Sequence, residues 1–85
     1  MSAPLNHEPL NHDWKIIAAA EGGEVLACLD DSRDGYVKVS YPEDLRENFL
    51  VEALRDKGVE VDLGIQPFYQ SGESPGEAVA LFKIA

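Results

Sequence analysis

The sequence predicts an α+β domain in which one amphipathic helix packs across a small antiparallel sheet of about five strands, in the order β-β-β-α-β-β. First, residues 40–58 have the start, the stop and the periodicity of a single helix. Second, short apolar or alternating runs lie on both sides of that segment. Third, Gly-Gly and Asp-Gly dipeptides separate consecutive runs, which is typical of antiparallel hairpins.

Residues 1–13 are predicted to form an extended arm before a single α+β domain over residues 14–85. The arm contains the pentapeptide PLNHE followed by PLNHD, and its Pro and Asn content disfavours helix or central strand. His7 and His12 could form a weak metal site, but an unfolded arm would have to become ordered around only two imidazoles. We favour a simple duplication, so no metal or cofactor is expected.

Residues 14–20 and 24–29 are apolar runs joined by Glu21-Gly22-Gly23, and this pattern predicts a β-hairpin. A short helix ending at Gly22 is the alternative, because Ala18 to Ala20 are strong helix formers. Cys28 lies in the second run. We expect it to be a small buried apolar residue rather than a nucleophile, since no His or Asn pattern accompanies it.

Residues 36–41 alternate, with Val37, Val39 and Tyr41 on one face, and predict a third strand. After the helix, residues 59–63 alternate between apolar and acidic side chains, so we expect a strand with one wet face. Gly64 interrupts it and residues 65–70 resume, with Pro67 indicating an edge strand or a bulge. Residues 71–76 are predicted to be a loop, and residues 78–84, apolar on both faces, a central strand.

The helix is predicted to begin at Ser40 and end at Gly58. Glu43 follows Ser40 at the spacing of a capping box, and Gly58 can adopt the positive φ that ends a helix. Val51 is expected on the exposed side. The apolar side, expected to face the sheet, consists of Leu45, Phe49, Leu50, Ala53 and Leu54.

Asp30-x-Ser32-x-Asp34-Gly35 matches the first half of a calcium-binding loop. However, Tyr41 occupies the position where a bidentate Glu belongs, and strands rather than helices flank the segment. We therefore interpret it as a polar hairpin turn whose Asp-Gly sets the geometry.

The sequence contains no catalytic motif, so we expect a protein that is not an enzyme. There is no nucleophile elbow, no GxGxxG and no Walker loop, and both histidines lie in the arm. No run of about 18 apolar residues could span a membrane. A single cysteine and the absence of a signal-like start favour a reduced, cytoplasmic setting.

Charge carries the functional argument, because sixteen acids against seven bases give a net charge of −9. Nucleic acid and anionic membranes are poor direct partners for such a chain, whereas a basic protein surface is favoured. The alternative is a solvated surface, partly neutralised by Arg46, Arg55 and Lys57. Apolar anchors could come from Val51, Tyr36, Phe68 or Tyr69. The predicted partner-binding residues are Glu47, Glu52, Glu60 and Asp62, with Asp30, Asp31 and Asp34 as a second contact.

In length, acidity, low cysteine content and α+β character, the chain resembles small phage-encoded inhibitors of bacterial defence, anti-CRISPR proteins among them. The resemblance rests on these general features of all 85 residues and on no shared motif. It implies a viral protein that acts in the host cytoplasm by stoichiometric binding to a basic, nucleic-acid-binding surface. Toxin-neutralising immunity proteins share this profile. The alternative is an accessory or immunity domain that docks or dimerises through its sheet edge, with acidity serving solubility.

Overall fold

The computed structural model describes residues 14–30, 33, 35–72 and 74–85, and it confirms the α+β class and the β-β-β-α-β-β order. The strands pair antiparallel in the order β1-β2-β3-β5-β4. The elements are β1 (Lys15–Ala20), β2 (Gly23–Leu29), β3 (Tyr36–Pro42), α1 (Glu47–Asp56), β4 (Phe68–Ser71) and β5 (Glu77–Lys83). The predictions for the arm, including His7 and His12, and for Asp31, Ser32 and Asp34 lie outside the described residues.

The β1–β2 hairpin is confirmed, and the alternative of a short helix at Ala18 to Ala20 is wrong. Ala20 pairs with Gly23 across the turn, and Gly23 has a φ of 144°. Between Ile16 and Ala18 the register shifts by a bulge. Ile17 lies in that bulge and is buried in the core, so β1 contributes to the core although its Ala-rich composition favours helix.

One face of the sheet carries the core, and α1 covers it. Directly opposed residues of an antiparallel pair share a face, so the pairs of Val39 with Ala27 and Ala80 define this side. Each fully buried Leu or Phe contributes about 1.5–3 kcal/mol relative to an exposed position. The largest fully buried side chains are Phe82, Leu50, Leu54, Val25, Val37, Val39 and Val59.

The opposite side of the sheet is called the outer face below. One row of register partners on it crosses all five strands: Ile16, Leu26, Ser40, Val79 and Gln70. Within the described chain, α1 lies on the core side, so no helix covers the outer face there.

The predicted helix start was wrong, because α1 begins at Glu47 and residues 40–42 belong to β3. Ser40 does not cap a helix; it pairs with Val79, and its Oγ donates a 2.5 Å hydrogen bond to Oε2 of Glu77. The N-cap is Arg46, whose side chain makes no capping bond. The β3–β5 ladder and the burial of Tyr41 stabilise the strand, and these long-range terms outweigh a local capping box.

The predicted end of the helix was correct. Gly58 has a φ of 87°, and its N–H donates to the carbonyl of Arg55. Leu50, Ala53 and Leu54 are buried as expected.

Two positions of α1 differ from the expected pattern. Val51 was expected to be exposed, but only 8% of its surface is exposed. Phe49 was expected to face the sheet, but 37% of its surface is exposed. The buried stripe of α1 is therefore rotated from Phe49 toward Val51, because the chain after the helix folds back along the Val51 side.

Residues 59–63 do not form the predicted strand. Val61 makes an isolated bridge to Ile84, the N–H of Asp62 donates to the carbonyl of Lys83, and Leu63 is 67% exposed. The alternation reflects a short crossing beside the end of β5 rather than a full ladder. The predictions for the last two strands agree better with the structure. β4 begins just after Pro67 at the sheet edge, and β5 lies in the sheet between β3 and β4.

Candidate binding surface

A groove lies between α1 and residues 63–67, and it is the candidate site. Its volume is about 530 Å³, within the range of about 300–1,000 Å³ usual for ligand sites. Glu47, Val51, Glu52 and Arg55 line it from the helix, and Phe82 contributes from β5. Helical spacing explains this set, since positions i, i+4, i+5 and i+8 share one side of a helix.

The groove brings two of the predicted acids together. Glu47 and Glu52 both line it and are exposed. Glu60 is exposed but lies in the crossing segment and does not line the groove. Arg55 also lines the groove, so the charged side chains of the groove have a net charge of −1 rather than −2. The predicted acidic face is thus divided, with one pair of acids in the groove.

Asp62 has a structural contact beside the groove. Its Oδ1 accepts a 2.9 Å hydrogen bond from the N–H of Gly64, and its carbonyl accepts one of 3.2 Å from the N–H of Ile65. These bonds form an Asx-type turn that shapes the start of the 63–67 segment. Asp62 therefore helps to form the wall that faces Glu47 and Glu52.

Leu63 and Ile65 are functional candidates that the sequence interpretation missed. Both line the groove, with 67% and 40% of their surfaces exposed. In the predicted strand Leu63 belonged to the apolar side of the alternation. Gly64 between them was the available signal, because a glycine that interrupts a run of alternating residues also marks a turn. The exposed apolar surface of both side chains lies in the same groove as the carboxylates of Glu47 and Glu52.

Glu47 is held by a contact with the edge strand. Oε2 of Glu47 accepts a 2.9 Å hydrogen bond from the phenol of Tyr69. Partial desolvation of the phenol, its hydrogen bond to Glu47 and the negative charge of Glu47 raise the pKa of Tyr69 to about 12, although more than half of the residue's surface is exposed. Burial, with the charge of Glu47, also raises the pKa of Tyr41. Glu47 is thus positioned at the groove by β4.

The second set of predicted contact residues was Asp30, Asp31 and Asp34, and of these the structure describes Asp30. Its side chain is buried, with 7% of its surface exposed, so it offers little area to a partner. Its backbone joins the turn, since its N–H donates to Tyr36 and its carbonyl accepts from Arg33. Asp31 and Asp34 lie outside the described residues.

The predicted aromatic anchors lie on different sides of the sheet. Tyr69 pairs with Ala80 and so faces the helix layer. Tyr36 and Phe68 lie on the outer face with their centroids 6.0 Å apart, and the Arg33 guanidinium lies 4.4 Å from the Phe68 centroid and 5.2 Å from that of Tyr36. This cation–π cluster is separated from the groove by the sheet.

Within the described residues, no cluster of three or more His, Cys, Asp or Glu side chains is placed to hold a metal ion. Cys28 is buried. None of the helices in the same part of the chain has the length and apolar character needed to cross a membrane. No protein-family model and no solved structure matches this chain.

Proposed function

We propose that this chain is a non-enzymatic binding protein that blocks a basic surface of a partner protein. The contact is made by the groove between α1 and residues 63–67. One observation carries the proposal: Glu47 and Glu52 share this groove with the exposed side chains of Leu63 and Ile65. Carboxylates select a basic partner, and apolar side chains supply the contact area on which affinity depends.

The net charge of −9 supports the same interpretation. A strongly acidic protein is drawn toward a basic surface, which accelerates encounter at low salt. The matching surface is a segment with Lys or Arg flanking an apolar side chain. Basic surfaces of this kind commonly bind nucleic acid, so occupying one would inhibit a nucleic-acid-binding effector. This is the mode implied by the resemblance to phage inhibitors of bacterial defence.

The test uses a synthetic helical peptide with one lysine face and one leucine face as a stand-in for such a segment. Amide shifts of the isotope-labelled full chain should change at residues 47–55 and 63–67. We expect the dissociation constant to rise about tenfold between low and moderate salt, because screening weakens charge pairs. A peptide with the same composition in scrambled order is the control ligand.

Charge-neutral variants locate the site. Glu47→Gln combined with Glu52→Gln retains side-chain shape and should weaken peptide binding about fivefold or more. The matched control, Glu21→Gln with Glu24→Gln, removes the same charge from the β1–β2 turn and should change binding by less than about twofold. An equal loss of peptide affinity in both double variants would refute the groove as the binding site. An affinity that does not change with salt concentration would refute it as well.

Docking through the sheet edge is the second candidate, and β4 is the observation that favours it. All four residues of β4 are exposed, and the strand lies at the edge of the sheet. An edge strand can add a partner strand through main-chain hydrogen bonds. In that case binding would be insensitive to salt, and the amides of residues 68–71 would gain protection from hydrogen exchange.

A further inference from the structure

The outer face of the sheet is more apolar than a solvated face should be. An antiparallel sheet with one wet side normally has polar side chains there. In contrast, Trp14, Ile16 and Phe68 are 43%, 55% and 47% exposed, and half-buried Leu26 and Val79 lie between them. A surface of this composition is typical of a contact with another molecule.

Strand β5 has a self-complementary pattern on this face. Its outer-face positions, in order, are acidic, apolar, apolar and basic: Glu77, Val79, Leu81 and Lys83, of which Leu81 is only 4% exposed. Their register partners on β3 are Pro42, Ser40, Lys38 and Tyr36, which confirms a common face. Laid antiparallel on a second copy of itself, the pattern places acid opposite base at both ends and apolar side chains in the middle.

Three further charged residues on the outer face follow the same division, whereas buried Asp30, opposite Tyr36, does not. Lys38 lies on the half that ends at Lys83, and Arg33 stacks on Tyr36 and Phe68 at that end. Glu24, opposite Ala19, lies at the end occupied by Glu77. The helix layer presents Glu47 and Glu52 together with Arg55, a net negative set, so two helix layers would repel each other weakly. Reversal of strand direction on the outer face instead brings unlike charges together.

We propose that two copies of this chain pair through their outer faces, with β5 of one copy running antiparallel over β5 of the other. A two-fold axis across the strands, between Val79 and Leu81, places Glu77 near Lys83 of the partner subunit. The sheets pack about 10 Å apart, as in a β-sandwich. This pairing covers Trp14 and Ile16, and it leaves the groove beside α1 open on the outside of the dimer.

The area of the face sets the expected strength. Five strands of four to seven residues, about 4.8 Å apart, give a face of roughly 20 by 20 Å. Two such faces bury roughly 800 Å² in total, below the roughly 1,200–2,000 Å² of stable interfaces, so we expect a weak dimer that forms at micromolar or higher concentration.

Sedimentation equilibrium of the full chain tests the pairing. The apparent mass should rise from 9.3 kDa toward twice that value as concentration passes through roughly 1–500 µM. Because Trp14 is the single tryptophan and lies at the interface, its emission should shift to the blue over the same range. A monomer mass at every concentration would overturn the proposal. This holds even if the Trp14 emission is blue-shifted, provided that the emission does not change with concentration.

Charge reversal tests the geometry. Lys83→Glu and Glu77→Lys should each weaken self-association about tenfold or more, because each creates two like-charge contacts per dimer. An equimolar mixture of the two variants should restore association, since the mixed dimer has unlike charges at both ends. Failure of the mixture to associate better than either variant alone would overturn this arrangement.

Glu77 accepts hydrogen bonds from Ser40 and Ser74, so replacing Glu77 also removes these bonds. A further variant tests the dimer without changing them. Ile16→Asp places a charge at an exposed outer-face position and should abolish the dimer. The matched control is Leu63→Asp, which makes the same kind of change at an exposed position in the helix layer and should leave the dimer intact. Thermal unfolding of every variant verifies that it is folded. A dimer that survives Ile16→Asp would place the interface elsewhere.

Discussion

The phenol of Tyr69 on β4 donates a 2.9 Å hydrogen bond to Oε2 of Glu47, the first residue of α1. This contact joins the start of α1 to the edge strand β4. It thus holds together the two ends of the chain segment that contains residues 63–67. One of the two carboxylates of the groove is therefore positioned by a side chain outside it. The contact can be measured through the titration of Tyr69.

Replacing Glu47 by Gln should lower the pKa of Tyr69 from about 12 toward its ordinary value. The amide removes the negative charge and weakens the hydrogen bond, while the partial desolvation of the phenol, the first cause of the shift, remains. Tyrosinate absorbance during alkaline titration measures the change. Glu52→Gln is the control, and an equal decrease in that variant would contradict the specific role of Glu47.

The same contact predicts loss of stability at alkaline pH. The pKa of Tyr69 is about 12 in the folded chain and near 10 when unfolded, so the contribution of the neutral phenol is fully present below pH 10. It decreases as pH rises from about 10 to 12, where the unfolded chain releases the proton more readily. Urea unfolding across this range should show the decrease, and Tyr69→Phe should show a smaller one. Identical pH dependence in both proteins would contradict this.

Arg46→Ser should stabilise the protein by about 0.5–1 kcal/mol. Arg46 is the N-cap of α1, with φ −85° and ψ 150°, and its side chain makes no capping bond. Serine fits this backbone and can accept a hydrogen bond from an N–H of the first turn. Urea unfolding measures the gain. Asn48→Ser, inside the helix, is the control and should give no comparable gain; a gain there would refute the assigned helix start.

Ser40→Ala should cost about 1–2 kcal/mol, because Ser40 is only 5% exposed and its hydroxyl would no longer donate to the Glu77 carboxylate. The helical circular dichroism signal at low temperature should not change, since Ser40 belongs to β3 and caps no helix. Ser71→Ala in exposed β4 is the control for loss of a strand hydroxyl and should cost less than about 0.5 kcal/mol. Loss of helical signal in Ser40→Ala would instead support a capping role.

The fold class and element order could be predicted because hydrophobic periodicity and turn residues are local signals. Gly58 ended the helix as predicted, since positive φ is a property of the residue itself. The helix start failed for the opposite reason. Ser40 has two compatible local roles, and only its pairing with Val79 and its bond to Glu77 select the strand.

The candidate site was predictable in its acids and not in its apolar wall. Glu47 and Glu52 lie on one helix, so their proximity follows from helical spacing. Leu63 and Ile65 reach the same groove only because residues 59–62 cross the end of β5 and turn at Gly64. The distance of Glu60 from the groove follows from the same crossing.

By itself the sequence determined an acidic α+β domain, its order of elements and the residue that ends its helix, because charge, periodicity and backbone preference belong to single residues and near neighbours. Tertiary structure alone decided where the helix begins, which apolar side chains remain in solvent and which acids share a groove. Those outcomes depend on contacts between residues far apart in the chain, such as Tyr69 with Glu47, and no local pattern encodes them.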